Sequence, residues 1–300
     1  MKTLITGGGG MVGSAMESEL KLTREYCDLT NRRQTETLFQ TIKPDGVIHC
    51  AGKVGGVGGN MNFKGEYFYD NLMINTNVIE ASRKAGVKRL VAFLSTCVFP
   101  DNVKYPLTID QIHTGEPHSS NYPYAYAKRM ADVQIRAYRE QYGLNYTSVI
   151  PSNIYGPNDN FSLEHGHVMP MLIHKLHLAK ENKSDFTVWG SGKPLREFIY
   201  SEDVARLAEW TLENYKGTDP LIFSGDSEVS IKDLVDLLVQ EFNFKGKVIF
   251  DNTKPDGQFK KPSDNSTIKE LYPNFEYTPF EVGIKKTVKW FIDNYETARK

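Results

Sequence analysis

Four consecutive glycines, Gly7 to Gly10, follow directly on the apolar run Thr3-Leu4-Ile5-Thr6 and lead into Met11-Val12-Gly13. A short buried strand that enters a glycine turn and then a helix opens a βαβ unit. The helix is expected from about Met11 to Leu20. The spacing Gly7-x-x-Gly10-x-x-Gly13 departs from G-x-G-x-x-G only in degree, since Gly8 and Gly9 add further glycines. Such glycines let backbone N–H groups approach a pyrophosphate at the start of the helix. Glycine turns also end strands for purely structural reasons, so it is the placement after the first strand that carries the dinucleotide reading.

The rest of the first half repeats the alternation. Val47–Ala51, Leu90–Leu94 and Tyr146–Ile150 read as buried strands, with helices near Asn31–Thr41, Asp70–Ala85 and Tyr124–Tyr142 between them. Buried strands alternating with helices imply a parallel, doubly wound sheet with right-handed crossovers. After Pro151 the texture changes to loops and helices: a helix from about His167 to Lys180, short strands at Phe186–Trp189 and Phe198–Tyr200, and a helix with Ser201 as its N-cap. Pro220–Phe223 can return as a final sheet strand, and Lys247–Phe250 is the one strand expected beyond it. The fold class is therefore α/β: a doubly wound parallel (Rossmann) sheet with a second, smaller α/β substrate domain. Residues 1–155 and 196–226 are assigned to the dinucleotide domain, and 156–195 and 227–300 to the substrate domain.

A length of 300 residues can bury such a core, and 40% apolar composition is that of an ordinary globular protein. A net charge of −1 gives no global reason to bind nucleic acid or an acidic membrane. No apolar run approaches membrane-spanning length, and the opening residues predict no signal peptide. Cys27, Cys50 and Cys97 are odd in number and widely spaced, which fits reduced thiols in a cytoplasmic compartment.

Three side chains point to hydride transfer at a carbonyl carbon. Tyr124 and Lys128 stand four apart on a helix, so the ammonium lies one turn from the phenol. A tyrosine hydroxyl ordinarily titrates near ~10, and the lysine, with a nicotinamide cation, is expected to lower it. Tyr126 points to another face. Ser95, at a strand's carboxyl end, can donate to the same carbonyl oxygen. Cofactor choice turns on the segment after the second strand, where Arg24 can face a 2′-phosphate and Glu25 can equally accept ribose hydroxyls. Asp28 and Leu29 can hold the adenine edge, and the reading leans to NADP (NADPH). That chemistry has no need of Cys97, two residues from Ser95, which hints at a second reaction in the same pocket.

Several longer motifs extend the pattern: Gly10-Met11-Val12-Gly13-Ser14-Ala15, Lys53-Val54-Gly55-Gly56, Ser95-Thr96-Cys97, Tyr124 to Lys128, and Pro151-Ser152-Asn153-Ile154-Tyr155-Gly156-Pro157. Asp159-Asn160-Phe161, Gly166-His167-Val168-Met169-Pro170, Val188-Trp189-Gly190-Ser191-Gly192 and the tail segment 254–261 complete the set. With these the chain resembles the sugar-nucleotide branch of the extended short-chain dehydrogenase/reductases over essentially its whole length. The resemblance implies a GDP-sugar substrate, epimerisation at C3 and C5 of a 4-keto-6-deoxy sugar, reduction at C4, and a homodimer through the Asp70–Ala85 and Tyr124–Tyr142 helices. It implies Cys97 and His167 as base and acid of the epimerisation, and Lys175, Arg196 and Lys261 as diphosphate and sugar contacts. Lys175 stands where other members carry arginine.

The chemistry of a ketone-bearing sugar agrees with those roles. A C4 ketone acidifies the hydrogens at C3 and C5, so one group can remove a proton from one face and another return it to the opposite face. A thiolate beside a cation suits the first task and an imidazolium the second. Free cysteines are more often small buried hydrophobes, and Cys27 and Cys50 are read that way. Four histidines (His165, His167, His174, His177) lie close in sequence, but without a carboxylate or cysteine at ligand spacing no metal is expected. Asn153 follows a strand and is placed to bond a phosphate or sugar hydroxyl, and Trp189 offers a flat face near sugar or base. Lys260-Lys261 can also be a solvated pair, and Gly55–Asn60 either a mobile loop near the sugar or a tight structural turn. Rival functions are a 4,6-dehydratase, which needs an acid where Cys97 stands, a 4-epimerase, which needs no cysteine, and a non-catalytic dinucleotide sensor, which usually loses the Tyr or Lys.

Overall fold

The computed structural model describes residues 1–226, 228–254, 256 and 259–300. In chain order the first half runs β1 (Thr3–Thr6), α1 (Met11–Ala15), β2 (Leu20–Leu22), α2 (Arg32–Ile42), β3 (Gly46–His49), α3 (Val57–Asn62), α4 (Lys64–Lys84), β4 (Arg89–Phe93), α5 (Tyr122–Tyr142) and β5 (Asn145–Pro151). The second half runs β6 (Asn153–Tyr155), α6 (Val168–Glu181), β7 (Phe186–Trp189), β8 (Leu195–Tyr200), α7 (Ser201–Asn214), β9 (Leu221–Phe223), β10 (Glu228–Ser230), α8 (Ile231–Glu241), β11 (Val248–Asp251), α9 (Ser266–Leu271) and α10 (Phe280–Asp293).

Six of these strands form one parallel sheet in the order β2-β1-β3-β4-β5-β9. Register explains why both faces are covered. Leu4, Val47 and Leu90 are cross-strand partners, and so are Ile5, Ile48 and Val91. Because successive residues face opposite ways, the first trio packs with Phe39, Ile79 and Ile135 and the second with Val204, Leu207 and Leu212. Each such side chain is worth roughly 1.5–3 kcal/mol when fully buried, enough to decide register against a one-residue slip. The strand order reverses beside β1, which puts a crevice at the carboxyl ends of β1 and β3. The doubly wound parallel sheet is thus as expected from the sequence.

A third core lies outside this sheet. Tyr155, Phe161, Leu172, Phe186, Leu234 and Phe291 join residues of α6, β7, α8 and α10. Phe161 and Phe291 stack with centroids 4.4 Å apart. Two small sheets, β10-β8-β6 and β11-β7, frame that region.

Four local expectations are corrected. The first helix ends at Ala15 and not at Leu20, because Ser18 Oγ donates to Thr3 O (2.6 Å) and turns the chain into β2, whose residues Leu20–Leu22 pair with β1. The helix expected from Asp70 begins at Lys64. Ser201 is the buried first residue of α7 and not its cap; the cap position is Tyr200, with no side-chain bond. The strand β10 has a polar sequence, Glu228-Val229-Ser230, and no apolar run announces it.

One buried polar chain crosses the main sheet. His49 at the end of β3 bonds Thr6 Oγ1 at 2.7 Å and Asn75 Oδ1 at 3.0 Å, and Asn75 Nδ2 donates to Ala127 O in α5 at 3.3 Å. Burial, with the nearby Lys128 charge, pushes the imidazole pKa down to about 3. The unfolded chain therefore takes up this proton between pH ~6.5 and ~3 while the folded chain does not, so stability falls as pH falls through that window. Thermal midpoints should drop on acidification across it, and His49→Gln should flatten part of that slope.

Candidate active site

The glycine loop is built from backbone packed on backbone. Gly7 has φ +74°, Gly8 N donates to Leu22 O at 2.9 Å and Gly10 N to Gly7 O at 3.0 Å. A Cβ on Gly13 would lie 2.4 Å from Gly7 O, and one on Gly8 2.5 Å from Lys21 Cβ. This cradle fits a dinucleotide, because glycines without side chains let a diphosphate approach the loop's backbone closely at the start of the helix. Val12 is buried in the core and Met11 is partly buried, so Val12 offers only its backbone. Arg24 and Glu25 are exposed at the outer end of β2. Asp28 Oδ1 already accepts from Thr30 N and Oγ1 (3.0 and 2.7 Å), bonds that lower its pKa. Leu29 packs in the core and leaves only its backbone for an adenine.

The Ser, Tyr and Lys come together at the carboxyl end of β4. Lys128 Nζ donates to Phe93 O at 2.9 Å. Ser95 faces the Tyr124 hydroxyl and pulls its pKa down, and Ser95 Oγ accepts from Cys97 N at 3.3 Å. Tyr124 is buried, and Tyr67 meets its ring edge-on at 6.5 Å. The expectation that Lys128 lowers the phenol's pKa is corrected. Burial is the largest influence and pushes Tyr124 up, Cys97 and Tyr67 add to it, and only Ser95 pulls it down. Lys128 Nζ stands 6.0 Å from the ring centroid, held on a carbonyl. Burial in turn pushes Lys128 down to about 8.

Cys97 lies on a single 3-10 turn, Thr96–Val98, immediately after Ser95. Lys261 Nζ donates to Thr96 O at 2.9 Å, and Cys97 and Arg196 both act on its charge, with burial lowering its pKa. Lys261 is therefore no solvated surface lysine: its ammonium is held on the turn that carries Cys97. Arg196, on β8, donates to Leu195 O at 2.7 Å, and burial lowers its pKa while Asp256 opposes. Asn121 Nδ2, just before α5, lies 3.0 Å from Cys97 Sγ. The sequence offered no signal for that contact beyond an asparagine ahead of Tyr-Pro-Tyr.

Other expected residues stand farther out. His167 immediately precedes α6 and is exposed, while desolvation by neighbouring protein atoms lowers its pKa. Among the described residues no hydrogen bond joins it to Cys97 or Tyr124. Lys175 Nζ sits 4.5 Å over the exposed Trp189 ring, and Lys254 Nζ 5.8 Å from it. Asn153 Nδ2 donates to Glu197 O at 2.8 Å. His174 Nδ1 bonds Phe161 O at 2.8 Å, and His177 packs against Tyr295, so both belong to the aromatic core. The Gly55–Asn60 segment is neither a mobile loop nor a tight turn: it leads into α3, with Gly56 at the cap position, Gly56 N donating to His165 O at 2.7 Å, and no room for a Cβ on Gly55 beside Tyr67 Oη. Of the tail segment, Pro255, Gly257 and Gln258 lie outside the described residues.

A glycine cradle at the head of a doubly wound sheet, with Ser, Tyr and Lys at its carboxyl edge, defines a dinucleotide-dependent enzyme acting on a carbonyl or its alcohol. The model of the NAD dependent epimerase/dehydratase family matches residues 3–224. A GDP-L-fucose synthase of Dictyostelium discoideum is 49% identical, over 99% of this chain and 97% of that protein. A probable GDP-L-fucose synthase of Drosophila melanogaster is 43% identical over 100% and 99%. The crystal structure of a GDP-L-fucose synthetase from Naegleria fowleri bound to NADP superposes with a TM-score of 0.95 at 45% identity, covering 99% of this chain and 94% of that one. The chain belongs to the NAD dependent epimerase/dehydratase family and, within it, to the GDP-L-fucose synthases.

Gly13→Ala tests the cradle. The added methyl cannot clear Gly7 O without moving backbone, so NADPH affinity should fall by at least about tenfold in a fluorescence titration, and the thermal midpoint of the free protein should fall with it.

Proposed function

We propose that the chain converts GDP-4-keto-6-deoxy-D-mannose to GDP-L-fucose, inverting C3 and C5 and then reducing C4. The observation that carries this reading is the placement of Cys97: its N–H donates to Ser95 Oγ at 3.3 Å, on the same turn whose Thr96 carbonyl holds Lys261 Nζ at 2.9 Å. Bound NADPH supplies the hydride, with the Gly7–Gly13 loop on its diphosphate and Arg24 toward its 2′-phosphate. Cys97 as thiolate takes the proton from C3 or C5, and the electron pair moves onto the C4 oxygen as an enolate. His167 returns a proton to the opposite face; burial, by lowering its pKa, makes its imidazolium a stronger acid. Tyr124 protonates the C4 oxygen during reduction, steadied by Ser95, and Lys128 supplies the nearby positive charge. Lys175, Arg196 and Lys261 face the diphosphate and sugar, with Asn153 and Trp189 at the margin.

Domain roles follow: residues 1–155 with 196–226 hold the dinucleotide, and 156–195 with 227–300 the nucleotide sugar. The rival dehydratase chemistry lacks its acid, because the position holds Cys97 with an amide beside it. A cytoplasmic setting fits three unpaired thiols, and among the described residues no helix is long and apolar enough to cross a membrane. The homodimer is read from exposed apolar residues on two packed helices, Phe68 and Tyr69 on α4 and Met130 and Val133 on α5.

Three experiments test this. Cys97→Ser should bind NADPH normally yet incorporate no solvent deuterium at C3 or C5, as followed by NMR; unchanged incorporation rules out Cys97 as the base. Tyr124→Phe should keep exchanging while NADPH oxidation falls by roughly a hundredfold or more; joint loss of both refutes the division of labour. Val133→Glu should convert a dimer to monomer by light scattering, and a wild type already monomeric removes the dimer reading.

A further inference from the structure

We infer that Asn121 is a further catalytic residue of the epimerisation, its side-chain amide donating to the Cys97 sulfur and favouring the thiolate that removes the sugar protons. The inference rests on the reading of Cys97 as the base.

Asn121 occupies the position before α5 where an asparagine ordinarily turns its oxygen onto the first free N–H groups of the helix. It makes no such bond. The second residue of the helix is Pro123, which has no N–H to give. The side-chain nitrogen instead lies 3.0 Å from Cys97 Sγ. The amide oxygen is shut off from water and, among the described residues, has no hydrogen-bond partner. Leaving a buried amide oxygen unpaired is unfavourable, so helix capping does not explain this conformation, whereas the sulfur contact does.

The chemistry gives the contact a purpose. An amide NH2 only donates and a thiolate only accepts, so the pairing is strongest for the ionised sulfur. Hydrogen bonds to an ionised acceptor are about twice as strong as neutral ones. Lys261, fixed on Thr96 O, brings positive charge to the same sulfur from a distant part of the chain. The backbone bonds of Asn121, from its N–H to His118 O and from Ala125 N to its carbonyl, do not involve the side chain. The residue can therefore be substituted with the turn and helix left in place.

The full-length protein is incubated with NADP⁺ and GDP-4-keto-6-deoxymannose in deuterated water, and exchange at C3 and C5 is followed. Asn121→Ala should slow exchange by about tenfold or more. Iodoacetamide labelling of Cys97 should slow with it, and overall turnover should lose kcat with KM nearly unchanged. Asn121→Leu, close in size to asparagine but without a donor, should show the same losses and guards against a packing defect in the alanine variant. NADPH affinity and thermal midpoint report that either variant is folded. Exchange within about twofold of wild type in a folded variant overturns the inference, as does loss of exchange with Cys97 labelling unchanged. Cys97→Ser is measured in parallel: if it exchanges normally, the base assignment itself fails, whereas a dead Cys97→Ser beside a fully active Asn121→Leu removes only the role of Asn121.

Discussion

Phe93 ends β4, and its carbonyl accepts the ammonium of Lys128. The arrangement of Ser95, Cys97 and Tyr124 depends on that bond. It ties α5 to the sheet one turn beyond Tyr124, so the phenol meets Ser95, two residues past Phe93 in the chain. Cys97 then follows on a single tight turn whose first N–H groups are anchored by the same serine. A parallel sheet buried on both faces offers polar chemistry no other place, because only at strand ends can side chains and carbonyls meet a ligand without opening the core.

The price of such a buried lysine is visible in its lowered pKa, and the protein meets it with polar atoms rather than counter-charges. Around Lys128 stand Phe93 O, the His49 ring and the Cys50 thiol, with no carboxylate bonded to it among the described residues. The His49–Asn75–Ala127 chain performs a related task one layer deeper, joining β1, β3, α4 and α5 by hydrogen bonds where apolar packing alone would leave strand ends unpaired. Asparagine is well suited there, since it donates and accepts at once without carrying charge.

Much of this was legible in the chain itself. Apolar runs such as Val47-Ile48 and Leu90-Val91 marked the central strands because a doubly covered sheet needs continuous hydrophobes, and the i,i+4 spacing of Tyr124 and Lys128 marked their shared helix face. Short polar elements carried no such mark: β10 exists through pairing with β8, and β2 because Ser18 bends the chain back. Distances across the chain were equally hidden. Nothing in Lys260-Lys261 distinguishes the solvated lysine from the one held on Thr96, and nothing before Tyr122 distinguishes an asparagine that caps a helix from one turned onto sulfur. The sign of the Tyr124 shift was missed because burial, which outweighs charge there, belongs to the fold and not to the spacing.

Lys261 reaches Thr96 from 165 residues away. It does so from a strand-like strap: Phe259 O accepts from Leu195 N, Pro262 O from Leu107 N, and Ser263 N donates to the Glu197 carboxylate. Ser95, Tyr124 and Lys128 thus all lie within the first half of the polypeptide, while the cation on the Cys97 turn arrives with the last fifth. Descent with modification can act on these two parts separately. Changes in the strap can move the Lys261 charge relative to the thiol and leave the Ser95, Tyr124 and Lys128 arrangement intact.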